Sequence, residues 1–222
     1  MDLPFIYKYQ PMFLQDFEMD DKLLELIQIL IKMDNLNILF VGNSGCGKTS
    51  LITAIIRDYY DNMNYKDNVL YINTLKDQGI SYYRNEVKTF CQTSTNIVGK
   101  KKIIILDDLD VINEQSQQVF RNFIDKYSHN VHFIASCTNT NKVIESIQSR
   151  MSTTKIKALH TANLSKILKR ICKIENISVE QEAEDFILSI SNNSVRIMIN
   201  YLEKFKLLSS NITLDIAISV CT

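Results

Sequence analysis

The chain has 222 residues, a hydrophobic share of 45%, a charged share of 23% and an aromatic share of 9%, which excludes a disordered chain. Lys plus Arg and Asp plus Glu each number 25, so net charge is zero and any nucleic-acid contact must come from a local patch. Only five Gly and two Pro occur, which excludes collagen-like and linker architectures.

In chain order, residues 20–33 place Leu23, Leu24, Ile27, Leu30 and Ile31 at helical spacing, with Asp20 or Asp21 as cap. Short apolar runs at Asn37–Val41, Val69–Asn73, Lys102–Asp107 and Val131–Ser136 read as buried strands, and a weaker one is expected at Thr154–Lys157. Helical patterns at 47–60, 79–92 and 114–127 lie between them. Strands alternating with helices predict an α/β fold, a parallel sheet covered on both faces. From about residue 158 the strand-like runs stop. Four helices are expected near 163–175, 179–190, 194–208 and 213–221, with Asn176 ending the first and Ser194 capping the third. The expected division is an α/β nucleotide-binding domain over 1–157 and a small all-helical domain over 158–222.

The five cysteines are widely spaced and form no C-x-x-C pair, so neither a disulfide framework nor a zinc site is suggested, and a reducing intracellular compartment fits. No basic and apolar leader opens the chain, and no apolar run approaches the ~18 residues of a membrane span. The abundance of Lys, Asn and Ile fits an AT-rich genome.

Gly42, Asn43, Ser44, Gly45, Cys46, Gly47, Lys48 and Thr49 match G-x-x-x-x-G-K-[ST], between the first strand and a helix, with Ser50 following. Glycines let the main chain wrap phosphates with its N–H groups inward, and the helix N-terminus adds partial positive charge. Lys48 would reach the outer phosphates, and the Thr49 hydroxyl would ligate Mg²⁺. Asp107 and Asp108 end an apolar strand. Asp107 would hold the metal shell, and Asp108 would orient and deprotonate an attacking water. The alternative, two solvated strand-end acids, is weakened by the phosphate loop upstream. Arg150 and Arg196 stand out in a chain with 19 Lys and six Arg, because a planar, always-charged fork suits phosphate; the alternative for each is a solvated surface Arg.

Taken together, these motifs resemble the replication factor C small subunits, AAA+ sliding-clamp loaders, from residue 4 to the end. Pro4 to Pro11 resembles that family's opening box, which flanks the adenine and here includes Tyr9. Gly42–Thr49 resembles its Walker A, and Ile103–Asp110 its Walker B. Asn73, Gly79, Ile80, Arg84 and Asn85 are similar to the segment between them. Phe133–Asn139 resembles the sensor 1 strand, Ile147–Arg150 the S-R-C box, and Val195 and Arg196 with Asn200–Leu202 the sensor 2 helix.

The resemblance implies an ATP- and Mg²⁺-dependent subunit that works with other loader subunits to seat a sliding clamp on primer–template DNA, in the nucleus or another site of replication, a viral compartment included. By position, Arg150 becomes an arginine finger toward a neighbour's ATP, and Arg196 the sensor 2 arginine on its own. Thr138 stands at sensor 1, where the family has Asn, with Asn139 one residue late. Arg84 and Lys88, four apart on one helix face, would follow the DNA backbone. The clamp contact is expected in Val87 and Phe90 through Ile97, with core packing the alternative for an apolar residue there. The basic residues of 150–175 read as a solvated face.

Several positions depart from the family. Asp108 replaces Glu, Gln10 replaces Arg, Met151 replaces Cys, and Asn43 and Ser44 replace two prolines. The resemblance stops where the family's helical collar would begin, so the chain is expected either to be a truncated product or to assemble differently. Alternatives are a nucleotide-binding subunit without turnover, a P-loop kinase, or a replication initiator of the wider AAA+ group.

Overall fold

The computed structural model describes residues 3–61, 63–72, 83–208 and 211–221. Five strands, β1 (Ile38–Val41), β2 (Val69–Ile72), β3 (Lys102–Leu106), β4 (Val131–Cys137) and β5 (Ser152–Lys155), form one parallel sheet in the order β2-β3-β4-β1-β5. The apolar runs are continuous because both faces are covered. Leu39, Ile104 and Phe133 pack on one side with Phe120 and Ile124 of α5 (Glu114–Tyr127). Ile38, Phe40, Ile103 and Ile105 pack on the other with Leu51, Ile52 and Ile55 of α3 (Lys48–Tyr59) and Ile27 of α2 (Asp21–Lys32).

The caps are local. Asp20 accepts from the Lys22 amide at the start of α2, and Asn113 accepts from the Ser116 amide at the start of α5. Strand β5 lies two residues earlier than the expected Thr154–Lys157. It is an edge strand, largely exposed and polar, so its pairing with β1 leaves no apolar run to read. Of the helix expected over 79–92, residues 79–82 lie outside the described residues; a π-turn, Tyr83–Val87, leads into α4 (Lys88–Gln92). Asn73 likewise lies outside them.

After α6 (Glu145–Gln148) and β5, four helices follow: α7 (Thr161–Glu175), α8 (Gln181–Ile190), α9 (Val195–Leu208) and α10 (Leu214–Cys221). Asn176 ends α7 in the left-handed region at φ 54°. On α7, Leu164, Ile167, Leu168, Ile171 and Cys172 form one apolar stripe facing the other three helices. The first helix, α1 (Phe5–Lys8), is a single turn too short to show a periodicity in the sequence. It packs Phe5 into this helical core, its amide donating to Glu203 Oε1 at 3.1 Å. Glu175 receives Lys8 Nζ at 2.5 Å and the Tyr9 hydroxyl, tying the first residues to the end of α7. Among the described residues, no helix is long and apolar enough to cross a membrane.

At the sheet's opposite end, buried His132 bridges two segments. Its Nδ1 accepts from the Leu36 amide at 3.3 Å, and its Nε2 lies 3.0 Å from Asp34 Oδ1, which also accepts from the Tyr59 hydroxyl at 2.7 Å. Burial holds the imidazole below its ordinary 6.5, against the pull of Asp34. Burial would raise the Asp34 carboxyl, but hydrogen bonds from Tyr59, His132 and Lys101 outweigh it and hold it below 3.8. Both depressed values act in the same direction. The stability they contribute is complete above pH 6.5, falls as pH drops through and below the ordinary histidine value, and falls further below 3.8. The denaturant midpoint is therefore expected to fall between pH 7 and pH 5, and His132→Gln flattens that limb. An identical decline in the variant would place the acid sensitivity elsewhere.

Candidate functional site

Where β1 ends, the chain turns into α3 through Gly42–Gly47. The Gly42 amide donates to Cys137 O at 3.2 Å, and a Cβ here would sit 2.8 Å from both Cys46 Sγ and Ile156 O, so only glycine fits. Gly47 precedes α3 at φ 96°, a conformation that costs glycine nothing. Gly45, at φ 77°, faces the start of α9: a Cβ would lie 2.6 Å from Ser194 Oγ. The tip of the loop thus touches the helical part. Asn43 and Ser44 are exposed on the loop, and Cys46 is buried beneath it.

Lys48 begins α3 and is 6% exposed. Its ammonium donates to Gly42 O at 2.7 Å and Asn43 O at 3.1 Å, both neutral carbonyls of the loop. A buried cation held by carbonyl dipoles, with no acid paired to it among the described residues, is poised for an anion. Beside it, the Thr49 hydroxyl donates to Asp107 Oδ2 at 2.8 Å, bringing together two hard oxygens of the kind Mg²⁺ takes. Asp108 follows in the left-handed region at φ 54°, ψ 52°. Burial raises its carboxyl, with Asp107 and Asp110 adding to the rise while Lys48 and Arg196 oppose it. Asp108 is therefore close enough to Lys48, Asp107 and Arg196 to feel the charge of each.

A cavity of about 510 Å³ opens beside this group, between the phosphate loop, the first residues and α7 and α9. Tyr9, Gly45, Gly47, Thr49, Ser50 and Arg196 line it, Cys46 among them at the loop. The size suits a small-molecule ligand. Tyr9 is set edge-on to Phe5, its hydroxyl engaged by Glu175, so its ring is fixed from both ends. Gln10 reaches Ser50 Oγ at 3.4 Å.

Other expected residues lie elsewhere. Asp110 Oδ2 accepts from the Thr138 amide at 3.1 Å, the Thr138 hydroxyl at 2.6 Å and the Asn139 amide at 3.0 Å. These bonds outweigh burial and hold the Asp110 carboxyl low. Asn139 Oδ1 accepts from the Asn141 amide at 2.9 Å. Thr138 and Asn139 are thus tied to Asp110 and do not line the cavity. Arg150 lies apart from it too: Nε donates to Asp125 Oδ1 at 2.5 Å and Nη1 to Ser146 O at 2.7 Å. Arg84 and Lys88 are exposed on one side of their helical turns, with Val87 buried behind them.

Val87 and Cys91, expected at the clamp contact, are core residues, and Phe90 lies partly buried with the Lys102 ammonium 4.5 Å from its ring centroid. Their apolar faces are turned toward the sheet, while Val98, just past that stretch, is an exposed apolar side chain. In the basic run 150–175, Lys169 pairs with Glu184 at 3.3 Å, as a solvated face would, but Arg170 lines the cavity. Asp110 and Ser136, which lie within the Walker B and sensor 1 stretches with no role of their own expected there, join the site's surroundings. For Ser136 a signal exists, a hydroxyl near the end of a strand whose only other polar side chain is His132.

Residues 38–158 match the family described as "ATPase family associated with various cellular activities (AAA)". A replication factor C small subunit of Methanococcus vannielii is 32% identical over 213 residues, covering 96% of this chain and 67% of the relative. A putative replication factor C small subunit of Acanthamoeba polyphaga mimivirus is 29% identical, covering 99% and 68%. Replication factor C subunit 4 of Saccharomyces cerevisiae is 30% identical, covering 91% and 63%. The chain thus spans about two thirds of the length of these relatives. In fold it is similar to the Thermotoga maritima RuvB Holliday junction branch migration motor, with a TM-score of 0.74 at 14% identity over 96% of this chain and 72% of that one. With its phosphate loop, paired strand-end acids and parallel sheet, the chain belongs to the AAA family of ATPases and, within it, to the replication factor C small subunits.

Proposed function

We propose that this chain binds ATP with Mg²⁺ and hydrolyses it as one subunit of a sliding-clamp loader, acting on primer–template DNA at a site of replication. The buried Lys48 ammonium, held by loop carbonyls beside the Thr49–Asp107 pair, is the observation that carries this reading. Thr49 and Asp107 would hold the metal, which when bound offsets phosphate charge. Tyr9 and the residues of 42–50 would hold the nucleotide, with Arg196 at its outer phosphates from α9. Asp108 would orient the attacking water.

Arg150 lies away from its own cavity, which supports a role toward a neighbouring subunit's ATP. It would have to leave Asp125 to act there. Arg84 and Lys88 supply exposed positive charge for a duplex backbone, a contact that weakens with salt. The names of the relatives support the loader assignment.

Mixed with partner subunits, clamp and primed DNA, the chain is expected to show stimulated ATP hydrolysis. Arg150→Ala should lower that stimulated rate by on the order of 10²-fold or more, as arginine fingers do, with ATP affinity of the chain unchanged. No stimulation by clamp and DNA in the complete mixture would overturn the loader reading. A second reading, a subunit that binds ATP without turnover, is favoured by the short Asp108 side chain. ATP binding with no turnover, unimproved by Asp108→Glu, would select it.

A further inference from the structure

Ser136 is 0% exposed on β4, a strand that otherwise packs almost wholly apolar side chains against its neighbours. In register it lies opposite Phe40 of β1, and it is one residue past the last β3 pairing, Leu106 with Ala135. It therefore stands where β3 gives way to Asp107 and Asp108. A hydroxyl in so dry a place must find partners, and this one finds two. It donates to Asp107 Oδ1 at 2.5 Å and accepts from the Asp108 amide at 3.1 Å.

The two bonds reach the two acids of the site in different ways. Asp107 has Ser136 on Oδ1 and Thr49 on Oδ2, so the plane of its carboxylate is held from both sides. Without Ser136 the carboxylate pivots on Thr49 alone. Asp108 adopts left-handed backbone angles, a region that aspartate enters more readily than most residues but that a hydrogen bond can fix in place. Its amide bond to Ser136 is such a hold, and it decides where the carboxylate departs from the chain. A group bonded to a metal-ligating carboxylate sets that ligand's orientation and its affinity.

We propose that Ser136 is the positioning residue of this site, one buried hydroxyl that sets Asp107 for the metal and Asp108 for the water together. The proposal rests on the reading of the cavity as an ATP–Mg²⁺ site. It has a consequence that a purely structural serine would lack: the metal dependence of nucleotide binding should change while metal-free binding does not.

The test uses Ser136→Ala in the full chain with a slowly hydrolysed fluorescent ATP analogue. Affinity is measured in EDTA and across a Mg²⁺ titration, and Mn²⁺ bound beside the nucleotide is followed by electron paramagnetic resonance. The expected result is unchanged affinity in EDTA and a Mg²⁺ requirement raised roughly 10- to 100-fold, with a broadened Mn²⁺ spectrum. A variant with the wild-type Mg²⁺ requirement overturns the proposal, as does an equal loss of affinity with and without metal. Should the Ala variant melt early, Ser136→Cys keeps the volume with a weaker donor: a raised metal requirement supports the proposal and a wild-type one overturns it. A wild-type chain that binds no nucleotide, or binds it indifferently to metal, overturns the site reading itself and this inference with it.

Discussion

Replacing Lys48 by Ala is expected to lower ATP affinity by roughly 10²- to 10³-fold, the cost of deleting one partner from a buried charge interaction. Lys48 is 6% exposed and its ammonium donates to Gly42 O and Asn43 O, so its full charge is available to a phosphate in a place where water screens little. The fold should survive, because the substitution removes only two bonds to carbonyls of a surface loop whose turns depend on Gly42, Gly45 and Gly47. Calorimetry with ATP and Mg²⁺, alongside thermal melting, checks both statements. An Ala variant that binds ATP as the parent does would remove Lys48 from the site and the nucleotide reading with it.

The second large effect concerns Asp108. Asp108→Asn removes the group that would take the proton from water, and turnover should fall by roughly 10²- to 10⁴-fold. ATP affinity should hold or improve, because a carboxylate beside the outer phosphates is lost. Asp108→Glu acts in the other direction. It lengthens the side chain by one methylene, and a catalytic group displaced by about an ångström can cost on the order of 10²-fold, so turnover should rise by up to that factor. Single-turnover rates at saturating ATP separate these effects from binding. Equal turnover in the Asn variant and the parent would exclude Asp108 as the base.

The fold is legible in the sequence wherever its signal is local or periodic. The runs at Ile38–Val41 and residues 103–106 are apolar on both faces because helices cover both faces, and length plus β-branching mark them. Strand β5 begins two residues before its expected start because an edge strand with polar, exposed side chains carries no such mark. The phosphate loop is legible because its chemistry is backbone chemistry: glycines at fixed spacing before a Lys and a hydroxyl dictate the turn wherever they occur. Thr138 and Asn139 are expected at the nucleotide by position, yet the Asp110 carboxylate claims both, and no spacing in the chain announces hydrogen bonds across 28 and 29 residues.

By itself the sequence determined the parallel α/β order, the phosphate loop, the paired acids ending β3 and the resemblance that family comparison bears out, because each rests on neighbours a few residues apart. Only the tertiary structure decided that Phe5 and Tyr9 belong with α7 and α9 rather than with the sheet, that Arg196 and Arg170 border the cavity while Arg150 pairs with Asp125, and that Ser136 joins Asp107 to Asp108. Those outcomes depend on which helix end meets which strand end and on which buried polar group can reach a partner. Such distances are set by the packing of the whole core, not by any segment of it.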